Sequence, residues 1–287
     1  MTAIKNSIAL ITGGANGIGK LLGKSLLEKG AKSLVIWDIN EANLESTTAE
    51  LSQEGYDVHP YLVDVADTDD IDFAAQDVIK ELGGIDILVN SAGIIVGKAF
   101  YEHSTREIEK TIRINVLGVM HTTNAFLPNM IERSKGHVVN IASASSYTAN
   151  PNMSVYAASK WAVMGWSESL RLELERLSQH LHVTTIAPSY ISTGMFEGVS
   201  APLLTPILDP DTIVAKIVQA IERNKVLVLE PAIVKSLPVL KGVLPTRAFD
   251  FLAEKIFGVY HSMDNFKGRK PEEAIPDKKV LEKSKKL

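Results

Sequence analysis

A serine, a tyrosine and a lysine are the residues whose types and spacing suggest a reaction. Tyr156 and Lys160 lie four positions apart in a segment with a helical pattern, so their side chains share one face. An ammonium beside a phenol stabilises the phenolate and lowers the pKa of the phenol from about 10. Tyr156 could then exchange a proton with an alcohol, while Ser143, at the end of a candidate strand, hydrogen-bonds the same oxygen. A Tyr–Lys pair by itself is commonly only a solvated pair on a helix.

A glycine-rich turn, TGGANGIG, follows the first candidate strand at residues 12–19 and opens the first helical pattern. Glycines let a backbone turn tightly and approach a pyrophosphate, whose charge is favoured at a helix N-terminus. The alternative is that the glycines serve only close packing. A P-loop fits poorly because no Gly-Lys-Ser/Thr follows the turn. The junction favours a dinucleotide, with contacts expected from Gly13, Asn16, Gly17, Ile18 and Gly19.

Asp38 ends the second candidate strand, about 20 residues beyond the glycines. A carboxylate at this point accepts hydrogen bonds from the adenosine ribose and repels a 2′-phosphate. The alternative is a polar residue before a helix, for which Asn40 is already a good N-cap. No Arg or Lys lies in the glycine turn or directly after Asp38. These residues favour NAD over NADP as the cofactor.

Strand and helix patterns alternate through residues 1–230, which predicts one Rossmann-type α/β domain with a doubly wound parallel sheet of about seven strands. The candidate strands are apolar runs at 7–12, 33–37, 57–63, 85–90, 137–142, 183–187 and 226–229. The candidate helices span 18–29, 41–54, 69–82, 105–132, 154–177 and 211–223.

The pattern changes after Glu230, where prolines separate apolar pieces. We predict that residues 231–266 form an apolar C-terminal extension, which is a lid, a subunit interface or a membrane-surface patch. The Lys-, Glu- and Pro-rich residues 267–287 are predicted to be a flexible tail. Residues 194–208 are also largely apolar, and with the extension they would form a cleft for bulky lipophilic alcohols or ketones. Packing in a subunit interface or against the sheet is the alternative.

Composition excludes several classes of protein and site. The 287 residues carry a net charge of −4, which argues against nucleic-acid binding. The absence of cysteine excludes disulfides, zinc–thiolate sites and thiol catalysis. The histidines show no metal-like grouping, and His180 and His182 are predicted on the surface, so no metal is expected. No apolar run suits a membrane span, and the first residues lack a signal-peptide pattern, so we expect a cytoplasmic protein.

Taken together, these residues resemble the short-chain dehydrogenase/reductase superfamily, in its common compact type, over about residues 5–230. The turn matches TGxxxGIG, and Ser143, Tyr156 and Lys160 match the catalytic set. The resemblance implies that Asn115 holds a water in a proton relay. A mid-helix Asn is otherwise solvent-facing or bonded to backbone. Further cofactor contacts implied by the resemblance are Asp64, Val65, Asn90, Ala92, Gly93, Pro188, Ile191 and Thr193, together with Tyr156 and Lys160.

Within this set the resemblance implies distinct roles. Asp64 would hydrogen-bond the adenine amine, although it could simply start a turn. The segment 90–93 would support the sheet and line the adenosine side, and 188–193 would contact the nicotinamide amide. The sequence departs from the family pattern at Ser91, which replaces an Asn, and at Ser189, which replaces a Gly.

The implied function is an NAD(H)-dependent oxidoreductase that interconverts an alcohol with a ketone or aldehyde. The runs VIWDIN, NVLG and AFLPNM resemble the subgroup of retinol and 17-beta-hydroxysteroid dehydrogenases, which favours a lipophilic substrate. A nucleotide-sugar epimerase or dehydratase is one alternative, although it would need a larger C-terminal domain. An NAD-sensing binding protein is the other. The helical patterns 105–132 and 154–177 correspond to subunit contacts of the family, so we expect a homodimer or homotetramer.

Overall fold

Short runs rich in Ile, Val and Leu form the strands of one parallel sheet in the computed structural model, which describes residues 1–269. The sheet has seven strands in the order β3-β2-β1-β4-β5-β6-β7. The strands are β1 Ile8–Thr12, β2 Ser33–Asp38, β3 Val58–Leu62, β4 Ile87–Asn90, β5 Gly136–Ile141, β6 Leu181–Pro188 and β7 Leu227–Glu230. The prediction of a doubly wound parallel sheet is confirmed.

Helices connect the strands and continue into the C-terminal extension. They are α1 Gly17–Glu28, α2 Glu41–Gln53, α3 Thr68–Leu82, α4 Thr105–Ile112, α5 Val119–Glu132, α6 Ser154–Leu177, α7 Pro210–Glu222, α8 Leu237–Val243 and α9 Thr246–Phe251. The helical stretch predicted at 105–132 is confirmed at both ends, and a π-helical segment, Arg113–Gly118, lies within it between α4 and α5. At its end a Cβ atom on Gly118 would lie 2.7 Å from the carbonyl oxygen of Val65, so the wider turn brings the backbone close to the β3–α3 loop.

Both faces of the sheet are covered, which explains why its strands are apolar at nearly every position. Leu34 and Ile36 of β2 pack on the side of α1, α2 and α7, whereas Val35 and Trp37 pack on the side of α3, α5 and α6. The ring of Trp37 meets that of Phe126 in α5 at a centroid distance of 5.5 Å. The two layers of helices therefore hold the sheet in a fixed position between them.

The strand order reverses between β1 and β4, whose last residues, Thr12 and Asn90, are paired in register. In open α/β sheets the crevice at such a reversal, beyond the carboxyl ends of the strands, is where ligands bind. The glycine turn, Asp38, Ser143 and Pro188 all lie at this edge, because each stands at or directly after the end of a strand.

A histidine pair lies within the sheet, away from this crevice. His137 of β5 is buried, and its Nε2 lies 2.7 Å from the hydroxyl of Thr184. The predicted surface position of His182 is wrong, because its half-buried ring lies 5.5 Å from that of His137 in the neighbouring strand. Burial lowers the pKa of His137 to about 3. The neutral imidazole is therefore part of the core.

The C-terminal extension consists of short helices that pack against the body of the protein. Phe249, Ala253 and Met263 are buried, whereas Val239 and Val243 are 66% and 76% exposed. The tail was predicted to begin at 267, but the N–H groups of Lys267 and Gly268 donate hydrogen bonds to the carbonyl oxygen of Glu197. Residues 270–287 of the predicted tail lie outside the described residues. Within the described part, no helix is long and apolar enough to cross a bilayer.

The substitution Gly19→Ala tests the packing of α1 on the turn after β1, and Gly165→Ala in α6 is its control. A Cβ atom on Gly19 would overlap the carbonyl oxygen of Gly13, so Gly19→Ala should lower the free energy of unfolding by about 1–3 kcal/mol. Gly165, an exposed helical glycine in α6, has no atom within 4 Å of its Cβ position. Gly165→Ala should therefore stabilise the protein by about 0.5–1 kcal/mol. Urea unfolding measures both, and equal effects of the two substitutions would contradict the packing argument.

Candidate active site

The turn after β1 is shaped by close contacts that only glycine allows. Gly13 has a φ of +66°, and a Cβ atom on it would lie 2.9 Å from Cα of Ala92. Asn16 caps α1, because its side-chain oxygen accepts a hydrogen bond of 2.6 Å from the N–H of Gly17. Ile18 is the next residue of α1. The start of α1 therefore borders a cleft at the edge of the sheet, at the end of the helix where an anion is favoured.

Asp38 lies beside this turn and is fixed by the backbone. One carboxylate oxygen accepts a hydrogen bond from the N–H of Ala15 at 3.1 Å, and the other accepts one from the N–H of Asn40 at 3.0 Å. Asn40 caps α2 through the N–H of Asn43, as its sequence position predicted. Asp38 also lines the cleft, so its carboxylate combines a fixed orientation with access to a ligand.

Asp64 and Val65 line the same end of the cleft, after β3. The carboxylate of Asp64 accepts a hydrogen bond of 2.9 Å from the N–H of Ala66, so this residue does start a turn. The side chain is half-buried. The turn and a contact with a ligand are therefore compatible for this residue.

The segment after β4 divides into a buried part and a cleft-lining part. Asn90 is 2% exposed, and its amide donates hydrogen bonds to Thr123 at 3.0 Å and to Asn140 at 2.8 Å. The side chain is directed into the core and ties β4 to β5 and α5, which agrees with the expected support of the sheet by this segment, while a contact of Asn90 with a cofactor stays a prediction. Ala92 and Gly93 line the cleft.

Ser143, Tyr156 and Lys160 meet in the middle of the cleft. All three are at most 8% exposed. Ser143 hydrogen-bonds the hydroxyl of Tyr156, and it also accepts a hydrogen bond of 3.1 Å from the N–H of Ser145. Nζ of Lys160 lies 5.8 Å from the ring centroid of Tyr156 and donates a hydrogen bond of 2.8 Å to the carbonyl oxygen of Ile141. The arrangement pairs a proton-carrying phenol with a hydroxyl and an ammonium.

Burial dominates the ionisation of these groups. It lowers the pKa of Lys160 to about 8, so the side chain is still largely an ammonium at pH 7. It raises the pKa of Tyr156 above its usual 10, and the hydrogen bond from Ser143 opposes this effect. The expected lowering of the Tyr156 pKa by Lys160 is therefore wrong for the protein alone, because the loss of water around the phenol is the larger effect.

Asn115 lies behind the cleft, in the π-helical segment, and is fully buried. Its side-chain oxygen accepts a hydrogen bond of 2.9 Å from the N–H of Ile94, and its amide donates to the carbonyl of Ile94 at 2.9 Å and to Ser159 at 3.0 Å. Ser159 in turn donates to the carbonyl oxygen of Tyr156. The side chain of Asn115 is thus bonded to backbone and to α6. It positions the helix that carries Tyr156, while its role in a water relay stays a prediction.

The segment after β6 forms the opposite wall through Pro188, Ile191 and Thr193. Cβ of Thr193 lies 3.6 Å from the position that a Cβ atom on Gly17 would take. The wall therefore closes toward the glycine turn, although Gly17 itself does not line the cleft.

A second, apolar cavity of about 100 Å³ adjoins the cleft at Ser143, Ser189 and Phe196. Its far wall is formed by the C-terminal extension, including Leu240 and Phe249. Ser143 therefore borders both spaces, whereas Tyr156 and Lys160 line only the first. Only the first has charged residues in its lining among the described residues.

Sequence reasoning did not single out several residues that line the cleft. Met195 and Phe196 belong to the apolar segment after β6, and the ring of Phe196 packs edge-on against Tyr156 at 6.1 Å. Arg269 comes from the end of the described chain. No motif identifies Arg269, because it lies in a segment whose Lys, Glu and Pro content suggested only a tail.

The fold and this constellation have known counterparts. The profile of the short chain dehydrogenase family matches residues 7–203. The chain is 37% identical over 262 residues to human short-chain dehydrogenase/reductase 3, covering 91% of this chain and 86% of that protein. It is 34% identical to estradiol 17-beta-dehydrogenase 11 from Rattus norvegicus, covering 93% of this chain and 89% of that protein.

A solved structure, that of a short-chain dehydrogenase/reductase from Burkholderia phymatum in complex with NAD, superposes with a TM-score of 0.77 at 24% identity. The match covers 84% of this chain and 95% of that one, and it establishes similarity of fold. The match to the family profile and the identity to the two sequence relatives also establish the family of the chain. The chain belongs to the short-chain dehydrogenase/reductase family of oxidoreductases.

Proposed function

We propose that this protein is an NAD(H)-dependent oxidoreductase that interconverts a lipophilic alcohol with its ketone or aldehyde. One observation carries the proposal: Ser143, which lines the cleft together with Tyr156 and Lys160, also lines the apolar cavity that adjoins the cleft. A substrate in the cavity would meet a cofactor in the cleft at Ser143, beside Tyr156.

The lining of the cleft fits a dinucleotide. The cleft extends from Asp38 and the glycine turn to Lys160 and Pro188, so it provides contacts for both ends of such a ligand. Because Gly13 has no side chain, the backbone of the turn packs against Ala92 and leaves space for a pyrophosphate at the start of α1. When bound, oxidised NAD accepts a hydride, and its nicotinamide ring carries a positive charge.

In the direction of oxidation, Tyr156 removes the proton of the substrate hydroxyl as a phenolate. Its raised pKa must fall for this step, and positive charge close to the phenol provides the fall. A unit charge about 6 Å away, at an effective dielectric constant of about 20, contributes about 3 kcal/mol, or about two pKa units. Lys160 is already present in the protein alone, where burial outweighs its charge, and the positive ring of bound oxidised NAD would add a second charge; Ser143 orients the substrate oxygen. In reduction, Tyr156 returns the proton.

Tyr156→Phe tests the chemical step. The substitution removes the proton carrier but keeps the ring, so turnover should fall by at least two orders of magnitude, because general acid–base catalysis contributes about 10²–10⁴-fold. The dissociation constant for NADH should change little. Both are measured by NADH absorbance and fluorescence. A variant that kept more than a few per cent of the activity would contradict the proposal, and a wild type that binds NADH without oxidising any alcohol would favour an NAD-sensing protein.

The proposed choice of NAD rests on Asp38. Its carboxylate is held by two backbone N–H groups, and the cations among the described lining residues are Lys160 and Arg269, on the other walls of the cleft. A 2′-phosphate beside Asp38 would therefore meet negative charge without a partner.

We expect kcat/KM with NAD to exceed that with NADP by at least tenfold, which corresponds to about 1.4 kcal/mol. The double variant Asp38→Ala, Ile39→Arg should narrow or invert this ratio, because it exchanges repulsion for attraction. Steady-state kinetics with both cofactors gives the values. Equal efficiencies in the wild type would exclude the assignment.

The lipophilic substrate is supported by the walls of the second cavity. Apart from Ser143 and a few small polar groups, they consist of aromatic and aliphatic side chains, among them Tyr190, Leu237 and Leu240. Estradiol, the substrate in the name of one relative, is itself a bulky apolar alcohol. Burial of each additional substrate methylene contributes up to about 0.8 kcal/mol.

For a homologous series of secondary alcohols, kcat/KM should therefore rise by up to about fourfold per methylene until the cavity is filled. Leu240→Asn should reduce this slope, because Leu240 lines the cavity. The control is Val239→Asn at the neighbouring, 66% exposed position, which should leave the slope unchanged. A flat series in the wild type, with good turnover of small polar alcohols, would exclude a lipophilic substrate.

Oligomer formation, contact with a membrane surface and a cytoplasmic location stay predictions. Leu172 and Leu177 of α6 are 51% and 61% exposed, and they support a subunit contact along this helix. Lys241 of the extension covers Trp161 on the same helix, with Nζ 4.5 Å from the ring centroid. The extension thus occupies part of the surface on which the predicted contact was based.

A further inference from the structure

The end of the described chain returns across the cleft and is held on the loop after β6. The carbonyl oxygen of Ser262 accepts a hydrogen bond of 3.0 Å from the N–H of Ser200. Further along, the N–H groups of Lys267 and Gly268 donate to the carbonyl oxygen of Glu197 at 2.8 and 3.4 Å. Residues 262–269, here named the closing segment, therefore follow the loop backbone at several points.

Side-chain packing fixes the closing segment on the opposite wall as well. The ring of Phe266 lies so close to Gly97, in the loop after β4, that a Cβ atom there would overlap it. Met263 is 2% exposed and belongs to one apolar cluster with Tyr156 and Tyr190. The closing segment thus bridges the loops after β4 and β6, which form two sides of the cleft.

Arg269 is the residue that this arrangement brings to the glycine turn. Its Nη2 atom lies 4.0 Å from the position that a Cβ atom on Gly17, the first residue of α1, would take. Arg269 lines the cleft, and its Nε is buried without a hydrogen-bond partner among the described residues. Withdrawing a guanidinium nitrogen from water without a partner is unfavourable, so the geometry suits a ligand that would supply an acceptor.

We propose that Arg269 binds the pyrophosphate of the dinucleotide and that the closing segment thereby covers the bound cofactor; this inference rests on the proposed function. The planar fork of a guanidinium suits the paired oxygens of a phosphate, and the start of α1 favours the same anion from the other side. Thr193 lies beside the same point, with its Cβ atom 3.6 Å from the Cβ position of Gly17, and belongs to the wall of the cleft formed by the segment after β6. The pyrophosphate is the part of a dinucleotide that lies between its two ends. Arg269 is therefore a binding residue contributed by the closing segment.

Direct binding measurements on the full chain test this role. Dissociation constants for NADH, ADP-ribose and adenosine are measured by isothermal titration calorimetry for the wild type and for Arg269→Gln. The substitution should raise the values for NADH and ADP-ribose at least tenfold and leave that for adenosine unchanged, because adenosine carries no phosphate. The matched control is Lys267→Gln, which removes an exposed cation two residues away and should change all three values less than twofold.

Two further measurements separate a contact with phosphate from a structural effect. The dissociation constant for NADH should rise more steeply with salt in the wild type than in Arg269→Gln, because one cation–phosphate contact is lost. The melting temperature of the ligand-free variant should be no lower than that of the wild type, because Nε of Arg269 has no partner in the described protein.

The outcomes that overturn the proposal are distinct. If the wild type binds NADH and ADP-ribose and Arg269→Gln binds them equally well, Arg269 is not a pyrophosphate ligand, while the proposed function stands. If the variant loses affinity for adenosine to the same extent, or melts at a lower temperature, its role is structural. If the wild type binds neither NADH nor ADP-ribose, the proposed function fails, and this inference fails with it.

Discussion

The hydroxyl of Thr12 holds together the two strand ends on which the rest of the site depends. It accepts hydrogen bonds from the N–H groups of Ser91 and Ala92, at 3.1 and 3.2 Å, across the point where the strand order reverses. Because β1 and β4 lead into loops that turn to opposite faces of the sheet, a crevice opens between them. The two hydrogen bonds to Thr12 keep the loop after β4 against the glycine turn, so that both border one cleft.

From this junction, fixed contacts extend to the chemical groups. The loop after β4 reaches Ile94, whose backbone is held by both ends of the Asn115 amide, and Asn115 is bonded to Ser159 in α6. Gly93 permits this approach, since its Cβ position lies 3.3 Å from the side-chain oxygen of Asn115 and 3.7 Å from Nζ of Lys160. A larger residue would push the asparagine or the lysine away. The helix that carries Tyr156 and Lys160 is thus positioned by a buried amide rather than by apolar packing alone.

Burial fixes the positions of Tyr156 and Lys160, but it also disfavours the charged forms that the proposed reaction needs. Removing water from Tyr156 and Lys160 disfavours the charged form of both groups, which raises one pKa and lowers the other. The proposed reaction needs the charged form of both. A site of this kind depends on charge that arrives with its ligands, and a covering segment that excludes water strengthens the effect of that charge. The apolar contacts of the closing segment with Tyr190 and Phe196 fit this requirement.

The sequence by itself determined the order of the elements and the residues with chemical potential. Alternation of apolar strands with helical patterns predicted the parallel sheet, and the predicted strand ends are correct to within two residues. Such strands can be recognised from sequence because burial of both faces requires apolar residues at nearly every position. It also identified Asp38, Ser143, Tyr156 and Lys160, since each stands at a fixed offset from a strand or a helix turn.

Only the tertiary structure decided what depends on distant neighbours. The π-helical segment at Asn115 ends where Gly118 approaches Val65, about 50 residues away, and no local pattern records that contact. Asn90 turned out to face the core, since its partners Thr123 and Asn140 lie on other elements. Arg269 looked like part of a charged tail, and its position at the glycine turn follows from hydrogen bonds to Glu197 and packing on Gly97. Local sequence fixes propensity and spacing, whereas long-range contacts decide which side chains share a cleft.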